Sequence, residues 1–322
     1  MKVHSGIEMA RLVALVAVIS LHANAYGIFG DDRAIGFVVD ELCRFAVPVF
    51  FLISGYLWKD DSLAAPVEPL LRLFRRLLVP FVIWVAFYTF CEISQVFYPG
   101  TFPNPASIRS YIFIPLSGGA GFHLWFLPAL FIGTALGWFA VRRVGLKGGL
   151  ALSATLYLVG TALALYARSR NFDAIVWIYR NGLFFAPLFL VLGHAMKKGR
   201  IPAIPMLAAL VLAGAAIHIA EGWYVFDRFP KGHDMSLGTV PLAVGVFGLF
   251  LHMRAGADPV VPWGRDVFGA YLAHLFFLRL FAAQVGQRGV GAALACIAFT
   301  LIVSLLFSRL MKRSAVTRPL VS

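Results

Sequence analysis

Charge and cysteine are what this chain has least of. Only 13% of its 322 residues are Asp, Glu, Lys or Arg, against 60% hydrophobic, and the mean hydropathy is +0.83. A composition that apolar over this length excludes a soluble domain and defines a polytopic membrane protein. The three cysteines, Cys43, Cys91 and Cys296, are odd in number, scattered and set in apolar runs, which rules out a disulfide framework or a CxxC metal site and leaves them as packing residues. Acidic residues are scarce as well, 15 against 28 Lys and Arg, for a net charge of +13. No soluble basic face exists to hold nucleic acid, and most of the positive charge falls in short loops between apolar runs, where membrane topology places it. Repeats of fixed period, low-complexity tracts, soluble appendages and nucleotide-binding glycine loops are missing too. The expectation is one domain over 1–322, with no metal and no nucleic-acid partner.

What the chain does have is long apolar runs. Ten fall at about 9–29, 42–58, 77–98, 122–141, 149–167, 182–196, 203–220, 236–253, 266–285 and 290–308, each long enough to be read as a crossing. The fold class expected is therefore all-α and polytopic, with about ten transmembrane helices and both termini on one side. With the N-terminus inside, seventeen of the 28 Lys and Arg lie in inside loops and tails, so the charge bias predicts N-in and C-in. Lys2, the first run and Ala23-Asn24-Ala25 also resemble a secretory leader with its cleavage site. Glu8 and Arg11 are out of place in such a leader, and the expectation is an uncleaved first span.

That first run carries two residues a bilayer should not tolerate. Arg11 is followed by ten residues, apolar except for Ser20, and then by His22. Eleven residues of helix rise roughly 16 Å and rotate by only about 20° beyond whole turns, so both side chains lie on one face. Ionisable groups at such depth face a polar interior or cavity and mark a functional site; the plainer alternative is a snorkelling arginine and a hydrogen-bonded core histidine. The second run opens with Asp40 and Glu41 and carries Arg44 one turn later, which predicts a local Asp40–Arg44 ion pair. Ser54-Gly55 at its far end is small enough for a helix or ligand to approach closely. Arg72, Arg75 and Arg76 follow at i, i+3 and i+4, on one side of a helical turn, a pattern suited to phosphate oxygens and equally to a positive-inside anchor.

A loop rich in Pro and Gly, about 99–121, leads to His123 and Trp125 at the start of the fourth run. These are interfacial residue types that also hold sugars by stacking and hydrogen bonding, as do Trp177, Tyr179, Trp223, Tyr224, Phe226 and Phe229 near the outer loops. Arg168, Arg170 and Arg180 lie outside against the charge bias and could meet an anionic glycan or pyrophosphate carrier, though a solvated loop is the stronger reading. Gly264-Arg265 precedes the ninth run, where Tyr271 and His274 are one turn apart and His274 is roughly 13 Å in from Arg265.

Together these residues resemble the acyltransferase-3 family of membrane acyltransferases. The resemblance is carried by Arg11-x10-His22, by Arg44 with Val47-Pro48-Val49-Phe50-Phe51-Leu52-Ile53-Ser54-Gly55-Tyr56, by Arg72-x2-Arg75, by His123-Leu124-Trp125-Phe126, and by Gly264-Arg265 leading to Tyr271 and His274. It departs from the family at Glu8 and Arg11-Leu12, where Asp and Arg-Gly are common. The resemblance implies O-acyl transfer, most often of acetyl, from cytoplasmic acetyl-CoA to a hydroxyl of a cell-surface or lipid-linked glycan at the outer face of a bacterial inner membrane. It further implies the stand-alone type, working beside polysaccharide-synthesis machinery. His22 is then the catalytic histidine with Arg11 as its partner. Arg72, Arg75, Arg76 and Arg265 contact the coenzyme, and Glu41, Arg44, His123, Trp125, Tyr271 and His274 serve the acceptor. The rival class is a transporter or flippase of a glycan or lipid-linked sugar. Transporters favour inverted repeats and intramembrane carboxylates, whereas here the halves show no correspondence and, among the acids, only Glu92 lies well inside a run. A purely structural partner comes third, against the polar face of the first run.

Overall fold

The structure, a computed structural model, describes residues 5–97, 121–169, 181–199, 201–225, 234–253 and 261–322. Among them it is helical, without strands. In chain order the helices are α1 (Ser5–Ala25), α2 (Arg33–Cys43), α3 (Ala46–Tyr56), α4 (Asp60–Ala64), α5 (Val67–Ile93), α6 (Phe126–Ser169), α7 (Ala186–Lys198), α8 (Ile204–Tyr224), α9 (Thr239–Leu251), α10 (Val261–Gly264), α11 (Val267–Gln284) and α12 (Val290–Met311). A 3-10 turn, Phe122–Trp125, leads into α6, and another, Arg318–Leu320, follows α12.

Each of the ten apolar runs lies on a helix, but their lengths differ. Among the described residues five helical segments are long and apolar enough to cross a membrane: α1, α6 with its leading turn, α8, α11 and α12. The second, sixth and eighth runs give α3, α7 and α9, of only 11, 13 and 13 residues, or roughly 16 to 20 Å against a hydrocarbon core of about 30 Å. The fourth and fifth runs are joined as α6, which breaks at Gly145 with φ +72°. A Cβ there would meet nothing within 4 Å, so glycine is required by the left-handed backbone and not by packing.

α1 occupies the centre, in contact with α2, α3, α9, α10, α11 and α12; Ala14, Leu15 and Ile19 are fully buried. The short α3 and α7 lie against each other through reciprocal glycines. A Cβ on Gly55 would stand 1.8 Å from the Leu190 carbonyl oxygen, and one on Gly193 would stand 2.0 Å from that of Leu52. The close approach anticipated at Ser54-Gly55 is thus a helix. Backbone contact of this kind recovers van der Waals energy where no hydrophobic drive exists between helices in lipid, which lets such short helices hold their place.

Charge inside the bundle is paired. Arg279 of α11 donates to Glu92 of α5 at 2.9 Å and to the Tyr26 hydroxyl at 2.6 Å. Replacing Arg279 with Ala would leave Glu92 half-buried and uncompensated. We expect a loss of about 3 kcal/mol or more, measured as a lower unfolding temperature in detergent. The double change Arg279→Met/Glu92→Leu should recover most of it.

Candidate active site

One large cavity, of about 510 Å³, opens between α3, α5, α6 and the α10–α11 corner. Its rim is cationic, with Arg11, Lys59, Arg72, Arg76 and Arg265. Its walls are helical stripes. Phe126, Leu130, Thr134 and Trp138 recur every four residues along α6, so that wall is roughly 18 Å long. Phe50, Ile53, Ser54 and Leu57 face it from α3, on the side away from the Gly55–Leu190 contact. The i, i+3 and i+4 spacing of these residues puts them on the cavity side of their helices. Arg11 is tethered to Glu8 at 2.8 Å, and the Cα of Gly264 packs so closely on Glu8 that a Cβ would fall 2.5 Å from it. The Gly264-Arg265 turn is thereby seated on the start of α1. A cationic rim above an apolar shaft with a few polar groups, Ser54, Thr134 and Trp138, fits a ligand with phosphates at one end and a long flexible arm.

Tyr271 and Phe126 form the inner end of the shaft, and beyond them is a group of three histidines. His22 of α1 and His274 of α11 stack with ring centroids 5.2 Å apart and 20° between planes. His123 meets His274 edge-on at 4.8 Å and lies 6.3 Å from His22. Backbone geometry fixes them. The Leu272 carbonyl accepts hydrogen bonds from His123 Nε2 at 3.2 Å and from the Tyr88 hydroxyl at 2.8 Å, and the Tyr271 hydroxyl donates to the His123 carbonyl. His274 Nδ1 bonds the Tyr271 carbonyl. Among the described residues His123 Nδ1 and His274 Nε2 are buried without a hydrogen-bond partner, and because their other ring nitrogens donate to carbonyls, both present a lone pair. Among the described residues no cluster of His, Cys, Asp or Glu has the geometry of a metal site. What three imidazoles at these distances can do is accept, hold and return a proton.

A second buried polar group lies beside the end of α1. Arg44, at the break between α2 and α3, is ion-paired with Asp40, as expected one turn before it, and with Asp234 at 2.6 Å. Asn24, two residues beyond His22, reaches Asp40 at 3.4 Å. Glu41 pairs with His218 of α8, whose Nε2 is 3.0 Å from the Thr239 hydroxyl. The network ties α1, α2, α8 and α9 together two residues from His22.

The sequence-predicted residues thus fall into groups. Arg11, Arg72, Arg76, Arg265 and Tyr271 line the shaft; His22, His123 and His274 assemble beyond Tyr271; Glu41 and Arg44 belong to the polar network. Arg75 stands apart, facing a separate groove. Trp125 is in the aromatic core, 6.3 Å from Phe51 and 5.9 Å from Phe185. Trp223 rests 6.0 Å from Phe37 and Tyr224 is exposed. Trp177, Tyr179, Phe226, Phe229, Arg170 and Arg180, and the side chain of Arg168, lie outside the described residues. Sequence reasoning missed His218 and Arg279, although each is an ionisable residue in an apolar run, the signal that singled out His22. It also missed Asp234, Tyr88, Lys59 and Trp138, which nothing in the local sequence marks.

Comparison with known proteins places this architecture. Residues 4–309 match the acyltransferase-3 family, described as an acyltransferase domain, and the chain belongs to that family. Among curated proteins it is 25% identical over 270 residues to an amino-acid racemase of Enterococcus faecalis, covering 78% of this chain and 36% of that protein. It is 27% identical over 206 residues to a serine/alanine racemase of Enterococcus gallinarum, covering 61% of this chain and 29% of that protein. The chain thus spans about a third of the length of the curated relatives it matches. No solved structure matches it.

Proposed function

We propose that this membrane acyltransferase is an O-acyltransferase, acetyl being the group of choice, that takes the acyl group from cytoplasmic acyl-CoA and places it on a hydroxyl of a cell-surface or lipid-linked glycan at the outer face. The observation that carries the reading is the shaft itself: an arginine-rimmed cavity whose inner wall, Tyr271, packs against His274 and His123. In the orientation read from the charge bias, ten passes with both termini inside, the rim faces the cytoplasm and the setting is a bacterial inner membrane. The racemase activity named for the relatives is not carried over, because the chain spans about a third of those proteins and the family match concerns acyl transfer.

The chemistry follows from the groups available. A thioester is already activated, so the protein has to orient it, remove the acceptor's proton and stabilise an oxyanion. Guanidinium groups at the rim hold the phosphates, bidentate where geometry allows, and the arm runs along the α6 stripe. His22 takes the proton of the acceptor hydroxyl as its oxygen attacks the acyl carbon. The carbon–oxygen bond forms, the carbon–sulfur bond breaks, and the proton passes from His22 to the departing thiolate. His123 and His274 pack against His22 and, with their other nitrogens donating to backbone carbonyls, present unprotonated nitrogens that can accept a hydrogen bond from the acceptor hydroxyl. Tyr271 stands between shaft and histidines, so it must shift for the acyl group to pass.

The test uses membranes containing the protein, labelled acetyl-CoA and the host's glycan fraction, with base-labile ester as readout. Label in the glycan is expected. Movement of a glycan or lipid-linked sugar across proteoliposomes without any acyl-CoA, and no label, would replace this reading with the transporter. A finer expectation separates donor from acceptor: Arg76→Ala should raise KM for acyl-CoA by about tenfold, on the order of 1.5 kcal/mol for one charged hydrogen bond, with kcat unchanged. Steady-state kinetics in nanodiscs checks it, and a fall in kcat alone would remove Arg76 from the donor site.

A further inference from the structure

Arg75 points to a site of a different kind. With Arg76 and Arg318 it converges on a second groove, of about 430 Å³, between α5 and the turn after α12; Val79, Ala315, Pro319 and Ser322 complete the lining. The groove is built, because the turn that carries Arg318 is fastened down. Trp84 Nε1 donates to the Leu320 carbonyl at 3.0 Å, Thr317 Oγ1 donates to the Met311 carbonyl at 2.6 Å, and Val321 is fully buried against Gly269. Among the described residues no acidic side chain lines it. Neighbouring acids are already engaged, Glu68 with Arg72 and Asp266 with Arg309 and Lys312, and no carboxylate among the described residues pairs with Arg75, Arg76 or Arg318. Three guanidinium groups in one concavity are suited to a phosphate.

The surroundings decide which phosphate. Val79, in the groove wall, is 45% exposed and begins an apolar strip on α5 that continues through Val82 at 54% and Ile83 at 42% to Phe90 at 65%. A soluble anion would gain nothing from such a strip, whereas a lipid could lay an acyl chain along it. We propose that the groove binds the headgroup of an anionic phospholipid, its phosphate held by Arg75, Arg76 and Arg318 and its chain packed on Val79, Ile83 and Phe90. Clustered arginines at a membrane surface recognise anionic lipid in this way. Arg76 lines both cavities, so the headgroup and the donor shaft share one guanidinium. The site does not depend on the acyl-transfer reading.

The protein would be reconstituted in vesicles holding equal phosphatidylglycerol and phosphatidylcholine, solubilised, and examined by native mass spectrometry for retained lipid. One phosphatidylglycerol per protein is expected, in clear preference to phosphatidylcholine. Arg318→Gln should retain about fivefold less, the effect of one basic residue near a membrane surface, while Arg318→Lys keeps most of it. Excess inorganic phosphate, which has no chain to lay on the strip, should leave the lipid in place. Equal retention of the two lipids, undiminished phosphatidylglycerol on Arg318→Gln, or displacement by inorganic phosphate would each overturn the proposal, the last by making the groove a site for a soluble phosphate. Should Arg318→Gln fail to fold, the lipid preference and the phosphate competition of the unaltered protein decide the matter alone.

Discussion

His22→Ala is expected to lower kcat for acyl transfer by at least 10²-fold and by as much as 10⁴-fold, the usual contribution of a positioned general base, or roughly 3 to 5 kcal/mol of transition-state stabilisation. KM for acyl-CoA should hardly move. His22 is not part of the shaft wall; Tyr271 separates the two, and the groups that meet the donor's charge are at the rim. The fold should survive as well, because His22 is half-buried and the core side of its helix is made by Ala14, Leu15 and Ile19. His22→Gln sharpens the test, since it keeps size and hydrogen bonding while removing the basic nitrogen. Turnover numbers at saturating donor, with equal monodisperse protein, give the result; full activity in either variant would sink the assignment.

The second large effect is structural. Gly55→Val and Gly193→Val should each abolish accumulation of folded protein or cost more than about 3 kcal/mol, at the top of the range for overpacking. Even the first carbon has no room, since a Cβ would lie 1.8 Å from the Leu190 oxygen or 2.0 Å from that of Leu52, against backbone on both sides. Flexible side chains could give way; two helix backbones can only separate. Because α3 carries Phe50, Ile53, Ser54 and Leu57 on its cavity side, any variant that does accumulate should bind acyl-CoA weakly. Gly286→Val is the control, with nothing within 4 Å of its added carbon, and it should behave as the unaltered protein in size-exclusion and thermal-unfolding measurements.

Some of this was fixed by one-dimensional pattern. Length of apolar run dictates helix in lipid, because no other element satisfies its own backbone there, and so all ten runs gave helices. An eleven-residue spacing dictates one face of one helix, and i, i+4 dictates the Asp40–Arg44 pair. Those are local consequences of helical geometry. Sequence could not foresee that the second, sixth and eighth runs would stop at 11 to 13 residues, since hydropathy measures solubility in lipid and not the close backbone contact that stabilises a short helix.

Tertiary structure alone decided how the groups meet. The histidines at 22, 123 and 274 come from three separate segments; the Leu272 carbonyl and the Tyr271 hydroxyl tie His123 to the helix of His274, and His22 stacks on His274, an arrangement with no trace in any one stretch. The arginine triplet shows the same limit. Its spacing puts three guanidinium groups on one side of α5, but a helix side about 100° wide can border two cavities at once. Packing of α5 against α6 on one flank and against the turn carrying Arg318 on the other sent Arg72 to the shaft, Arg75 to the groove and Arg76 to both. Chain order by itself determined which residues a membrane would force to find polar company; only the folded bundle, by bringing distant helices to van der Waals contact, determined whose company each one found.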